Sequence, residues 1–149
     1  MIDPAIVYYC KYQERCHSET RNKLYELGFG TDEVERQLSE LIEAGALNEE
    51  RFAKAYARGR FRMKHWGRQK IVQQLRLKKV SEYCIRKGLA EIDGEEYITV
   101  LTGLARKKAV ELKKEKNIFT KKGKIYRFLV QKGYEQDLVL GTIKEIFEQ

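Results

Sequence analysis

Residues 75–89 read LRLKKVSEYCIRKGL. Leu75, Val80, Ile85 and Leu89 stand five, five and four residues apart, and Ser81 is placed to start a helix between them. The same spacing returns twice. Residues 24–38, LYELGFGTDEVERQL, put Leu24, Phe29, Val34 and Leu38 in it, and residues 129–143, LVQKGYEQDLVLGTI, put Leu129, Tyr134, Val139 and Ile143 in it. The offsets are 51 and 54 residues. Gly28, Lys79 and Gly133 occupy the matching place where the first helix of each pair should end. A period near 50 residues with three helices in each unit accounts for the whole chain.

The rest of the sequence fits helices. Its single proline is Pro4, so nothing interrupts a long helix. Ser18, Thr31, Asn48, Ser81, Asp93 and Thr120 serve as N-caps in this reading, and Asp93 with Glu96 has the spacing of a capping box. Asp32, Glu33, Glu49 and Glu50 put acid in first turns, where the helix dipole favours it. The expected helices span roughly 5–16, 18–28, 31–45, 48–65, 68–78, 81–91, 94–116, 120–132 and 135–148. They group as three three-helix repeats, 1–47, 48–93 and 94–149. The expected class is therefore all-α, built from tandem repeats.

A three-helix unit of this size has a thin core, so stacking against neighbours adds needed burial. The helix expected at 48–65 reads as a central one. Phe52, Tyr56, Gly59 and Met63 form one stripe, and Ala53, Ala57 and Phe61 a second. Arg51, Lys54, Arg58, Arg62 and His65 fill the remaining arc. In the helix that follows, Ile71 and Leu75, with Val80 beyond it, are expected to hold the stack, and Trp66 and Phe61 to pack.

Charge is uneven along the chain. Residues 1–47 hold five basic and nine acidic residues; residues 48–80 hold eleven and two; residues 81–149 hold fourteen and eleven. The stretch WGRQKIVQQLRLKKV, residues 66–80, contains no acid at all. Such a block faces either a polyanion or an acidic protein surface, or else simply solvent. No apolar run approaches the ~20 residues of a membrane span, and MIDPAIVYYC is unlike a secretory signal. Three cysteines, Cys10, Cys16 and Cys84, without a CxxC pair suit reduced thiols in a cytoplasmic protein. Cys16-His17 lacks a second pair to complete a metal site. There is no phosphate loop, HExxH or GxSxG motif, and no nucleophile beside a credible base. The reading is of a binding protein with no catalytic residue, cofactor or metal.

The segments NEERFAKAYARGRFRMKHWGRQKIVQQLRLKKV, residues 48–80, and YCKYQERCHSETRNKLYELGF, residues 9–29, resemble the RecX family, the bacterial regulators of the RecA recombinase. The pattern is an acidic pair (Glu49-Glu50), Arg51-Phe52-Ala53, an Arg-rich helix, Gly67, and a helix ending in Leu75 to Lys79. The Lys-Gly ending returns at Lys132-Gly133. The chain departs at Lys79, where the pattern has Gly, and at Leu27-Gly28, where a basic residue precedes the Gly. Against that pattern the N-terminus is short, and any leading extension is expected to be missing. The resemblance implies an elongated, curved stack of three repeats lying in the groove of the RecA–DNA filament. It implies inhibition of strand exchange, ATP hydrolysis and co-protease activity. RecA is then the partner, DNA, single- or double-stranded, is a further candidate, and the protein acts as a monomer.

On that reading the partner-binding residues are Arg51, Lys54, Arg58, Arg62, Arg68, Lys70, Arg76, Lys78 and Lys79. Arginine on a helix face can hold a carboxylate or phosphate in bidentate fashion. Two other classes stay open. One is a sequence-independent DNA-binding repeat protein that acts without RecA; the other is a scaffold whose charge only keeps it soluble.

Overall fold

A computed structural model describes residues 1–148. Among them are nine α-helices and no strand: α1 (Pro4–Tyr12), α2 (His17–Glu26), α3 (Thr31–Glu43), α4 (Glu49–Lys64), α5 (Arg68–Leu77), α6 (Glu82–Leu89), α7 (Gly94–Glu111), α8 (Ile118–Gln131) and α9 (Gln136–Phe147). Every expected helix is present, most of them shorter than expected by a few residues. Asn48, Ser81 and Asp93 accept hydrogen bonds from Arg51, Cys84 and Glu96 backbone N–H groups, as N-caps do. The other starts differ. Cys16 and Gly30 hold the cap positions expected at Ser18 and Thr31, and Asn117 caps α8 in place of Thr120. Asn117 Oδ1 accepts from both Phe119 and Thr120 N–H, which a Thr inside the first turn has no geometry to do.

The repeated spacing has a backbone cause. Helix α2 ends with Phe29 N–H donating to Leu24 C=O at 3.3 Å and Gly28 N–H to Tyr25 C=O at 3.0 Å. Helix α5 ends with Val80 to Leu75 at 3.1 Å and Lys79 to Arg76 at 2.9 Å. Helix α8 ends with Tyr134 to Leu129 at 3.2 Å and Gly133 to Val130 at 2.9 Å. Each pair of bonds is a Schellman motif, whose apolar partners stand five residues apart. Its turning residue must be left-handed, and φ is +96° at Gly28, +62° at Lys79 and +105° at Gly133. The middle turn thus has the same shape as its counterparts, with a side chain in place of hydrogen.

The chain divides into two compact units, and α4 and α5 contribute residues to both. The first holds Met1–Arg58 with Gln74–Glu91. There α1, α2 and α3 bury Ile6, Cys10, Leu24, Val34, Leu38, Leu41 and Leu47 together. In the same unit α6 crosses α4 so closely that a Cβ on Gly88 would lie 2.7 Å from the Ala53 carbonyl oxygen. Only glycine fits there. Leu75, Val80 and Ile85 are buried, as their register requires.

The second unit holds Gly59–Gln73 and the chain from Ile92 onward. Here α7, α8 and α9 pack pairwise. Tyr97, Leu101, Ala105, Ile125, Leu129, Tyr134 and Val139 are fully buried. Rings of Phe61 and Tyr97 lie 5.7 Å apart and those of Tyr97 and Tyr134 5.1 Å, within the range of favourable tilted pairs. The stripe Ala53, Ala57 and Phe61 is buried as expected. The other stripe fades along the helix: Phe52 is buried and Tyr56 half-buried, but Met63 is 84% exposed and Gly59 faces open space. The last turns of α4 therefore have one packed flank.

The three turning residues separate two costs. Gly28→Ala meets no neighbour and carries only the left-handed penalty, about 1 kcal/mol. Gly133→Ala carries it too, and its new Cβ falls 2.4 Å from Lys70 Cβ and 2.6 Å from Lys70 N. Urea unfolding should show Gly133→Ala more destabilised than Gly28→Ala by at least ~1–3 kcal/mol. Lys79→Gly should gain up to ~1 kcal/mol.

Candidate basic interface

The nine basic residues of the middle helices do not form one free surface. Arg51 Nε binds Glu14 at 2.6 Å and its Nη2 donates to Gly45 C=O at 3.1 Å. Lys54 pairs with Glu50 one turn back at 3.2 Å. Arg58 reaches Glu91 at 2.5 Å, beyond the end of α6. Arg76 grips both carboxylate oxygens of Glu82, the first residue of α6. Acids in residues 1–47 and 81–91 thus answer part of the cationic excess in residues 48–80. Local reading of the sequence missed this, because the partners of Arg51 and Arg58 lie 37 and 33 residues away.

Two of the nine are structural. Lys78 sits at the end of α5, and its Nζ binds Glu19 Oε2 of α2 at 2.9 Å, with both side chains less than a third exposed. Its carbonyl accepts from Ser18 Oγ at 2.6 Å, and Cys16 Sγ lies 4.0 Å from the same oxygen. Glu19 in turn accepts from Cys16 N–H at 3.1 Å. Burial alone would raise the Glu19 pKa, but the Lys78 ammonium and the Cys16 N–H outweigh it and hold the carboxyl below its ordinary range. Burial works against the Lys78 charge as well, and Glu19 more than offsets it, so that pKa rises. Cys16 is the buried start of α2, its thiol pushed up by burial and so kept neutral.

Arg68, at the start of α5, belongs to a network of the second unit. Its Nη1 binds Glu135 at 2.9 Å, its guanidinium carbon lies 3.9 Å from the Tyr97 ring centre, and its N–H donates to Tyr97 Oη at 2.9 Å. Tyr97 Oη donates to Glu135 Oε1 at 2.5 Å. Burial first, then the Glu135 carboxylate, pushes the tyrosine pKa well up, so it remains a donor.

Three cations are left without a carboxylate partner among the described residues. Arg62 is exposed on the last turn of α4; Lys79 is exposed at the left-handed turn after α5; Lys70 lies over Trp66, its Nζ 4.7 Å from the ring centre. Among the described residues no three His, Cys, Asp or Glu side chains gather to hold a metal, and no helix is long and apolar enough to cross a membrane.

A chain of three-helix repeats with matching helix stops and a cationic middle is an all-α helical-repeat protein. Residues 48–89 match the model described as RecX, second three-helix domain, and residues 95–141 match RecX, third three-helix domain. The regulatory protein RecX of Pelodictyon phaeoclathratiforme is 34% identical over 87% of this chain and 80% of its own length. That of Clostridium perfringens is 35% identical over 89% of this chain, and the aligned part is 62% of its length. The chain thus spans about three fifths of the clostridial relatives it matches. The crystal structure of RecX from Lactobacillus salivarius superposes with a TM-score of 0.86 at 23% identity, covering 97% of this chain and 94% of that one. A second RecX crystal structure gives 0.84 at 25% identity, covering 95% and 68%. The chain belongs to the RecX family.

The Glu19–Lys78 contact carries a pH signature. A carboxylate with a lowered folded pKa contributes stability that is present above its unfolded pKa and lost as pH falls through the folded one. Glu19→Gln should therefore destabilise by about 1 kcal/mol at pH 7. Paired melts of parent and variant should converge once the pH drops below the usual carboxylate range.

Proposed function

We propose that this protein regulates recombination by binding the RecA–DNA filament in its groove. From there it inhibits strand exchange, ATP hydrolysis and co-protease activity and blocks filament growth. It acts as a cytoplasmic monomer without catalytic chemistry of its own. The observation that carries this reading is the 34% identity to a regulatory protein RecX across four fifths of that protein.

The surface supports a division among the nine basic residues. Exposed ion pairs are worth little, about 0–1 kcal/mol, so Arg51, Lys54, Arg58 and Arg76 can exchange Glu14, Glu50, Glu91 and Glu82 for an anionic partner. Lys78 and Arg68 are less free, because their carboxylates also hold the fold. Arg62, Lys70 and Lys79 offer charge that no acid among the described residues pairs with. Reversing Arg51 or Arg58 would set like charges together and cost stability, so it is a poor probe of binding.

The deciding measurement compares labelled protein on bare DNA and on recombinase-coated DNA. A filament regulator binds the coated DNA at least about tenfold more tightly. Equal binding to both, with a steep salt slope, would instead identify a sequence-independent DNA-binding repeat protein. Arg62→Glu with Lys79→Glu should weaken binding to the coated DNA about tenfold and relieve inhibition, with the melting temperature nearly unchanged. Unimpaired inhibition by that double variant would remove both residues from the interface.

A further inference from the structure

Residues 106–124 read RKKAVELKKEKNIFTKKGK and carry nine basic residues against two acidic ones. They make up the end of α7, the connection that follows it and the first turns of α8. Both acids are already taken. Glu111 pairs with Lys108 at 3.4 Å, and Glu115 with Lys124 at 3.3 Å. Glu115 also accepts from Asn117 N–H at 3.3 Å, so it holds the connection in place. The other seven cations have no carboxylate partner among the described residues.

Within this charge, large apolar side chains stand in water. Phe119 is 82% exposed, Val110 67% and Ile118 44%. The buried residues of these two helices are others: Tyr97, Leu101 and Ala105 on α7, Ile125 and Leu129 on α8. The exposed set is firmly presented. Asn117 Oδ1 accepts from Phe119 N–H at 3.0 Å and from Thr120 N–H at 3.1 Å, which fixes Ile118 and Phe119 in the first turn of α8. Apolar side chains clustered in water and rimmed by polar ones mark a contact surface.

Val110 also lines a cleft of about 420 Å³. Ala109, Ile146 and Phe147 complete its apolar lining, and Arg106 and Lys121 bring charge to it. Apolar residues flanked by lysines suit a bilayer surface, where the apolar groups enter the acyl boundary and the ammonium groups meet anionic headgroups. A nucleic-acid strand fits this surface less well. Bases stack on aromatic faces, and Val110 and Ile118 have none, whereas an acyl layer accepts all three side chains alike. No helix among the described residues is long and apolar enough to cross a membrane, so contact of this kind stays at the surface.

We propose that the tip formed by the end of α7 and the start of α8 is a docking surface for an anionic lipid bilayer. Phe119, Val110 and Ile118 enter the boundary between headgroups and acyl chains, and Lys113, Lys114 and Lys116 of the connection pair with lipid phosphates. Attachment of this kind is reversible and weakened by salt. The tip shares no residue with the nine basic residues assigned to the recombinase filament, and vesicles contain no recombinase. Failure of one reading therefore leaves the other standing.

The test is cosedimentation of the intact chain with vesicles of phosphatidylcholine alone and of phosphatidylcholine with about 30 mol% phosphatidylglycerol. The chain should bind the anionic vesicles at least about tenfold more tightly than the neutral ones, and added salt should release it. Val110→Ser with Phe119→Ser should weaken binding to the anionic vesicles about tenfold. Its melting temperature should be nearly unchanged, because both side chains are exposed. Replacing Lys113, Lys114 and Lys116 by Gln should weaken binding by at least about tenfold at low salt and tests the charge separately. Tyr8→Ser with Tyr12→Ser, exposed aromatic residues of α1 in the acidic part of the chain, is the matched control. A loss from the Val110 and Phe119 variant no greater than that of the control overturns the proposal, as does equal binding to neutral and anionic vesicles. So does a loss of single-stranded oligonucleotide binding as large as the loss of vesicle binding, which would make the tip a nucleic-acid surface.

Discussion

The structure depends on one backbone constraint, a left-handed residue that stops the second helix of each three-helix repeat. With the residue after it, it closes two hydrogen bonds onto the helix it ends, and it fixes the apolar pair five residues apart that the next helix packs upon. Leu24 with Phe29, Leu75 with Val80, and Leu129 with Tyr134 are that pair in each copy. A helix that ran on past Gly28, Lys79 or Gly133 would carry the following apolar residue round to another face. The cost of the conformation is near zero for glycine and about 1 kcal/mol for Lys79.

Charge follows the same architecture. The middle helices carry most of the cationic excess, and the acids that answer it come from α2, from the α1–α2 connection, from the first turn of α4, from the start of α6 and just beyond its end, and from the cap of α9. Some of these pairs are exposed and weak, while Glu19–Lys78 is half-buried and tied to the cap of α2. The basic block is thus two populations, one holding the fold and one available to a partner.

The fold was legible because its signal is short-range. Spacings of five, five and four are set by a turn of a few residues, and Gly28 and Gly133 mark the left-handed position in plain sight. Lys79 was readable only by register, since lysine has no preference for that conformation. N-caps were half legible: Ser81 and Asp93 carry cap-forming oxygens, whereas Cys16 is a buried thiol whose N–H is taken by Glu19 and Gly30 is exposed with no side chain to cap with. The roles of the nine basic residues were not legible. Whether Arg58 is free depends on Glu91, and whether Lys78 is free depends on Glu19, which are contacts made only after the helices have stacked. Met63 was misread for a related reason. Its position on the helical wheel is apolar, but the last turns of α4 are packed on one flank only.

Two matching junctions, a first where the start of α2 meets the end of α5 and a second where the start of α5 meets the end of α8, also show what a side chain is needed for. A helix end leaves carbonyls unsatisfied, and a helix start leaves N–H groups unsatisfied. At the second junction these complete each other directly: Gly67 and Gln69 N–H groups meet the Lys132 and Gly133 carbonyls. That approach is possible only because both chains are bare, since a Cβ on Gly67 would lie 2.3 Å from Gly133 C. At the first junction Cys16 and Lys79 carry side chains at the matching places, and a hydroxyl and a carboxylate close the contact instead. Ser18, Glu19 and Lys78 are consumed by holding helices together. Gln69 and Lys70 are not, because the backbone has already done it, and Lys132 gives its Nζ to the Lys64 carbonyl rather than to a carboxylate.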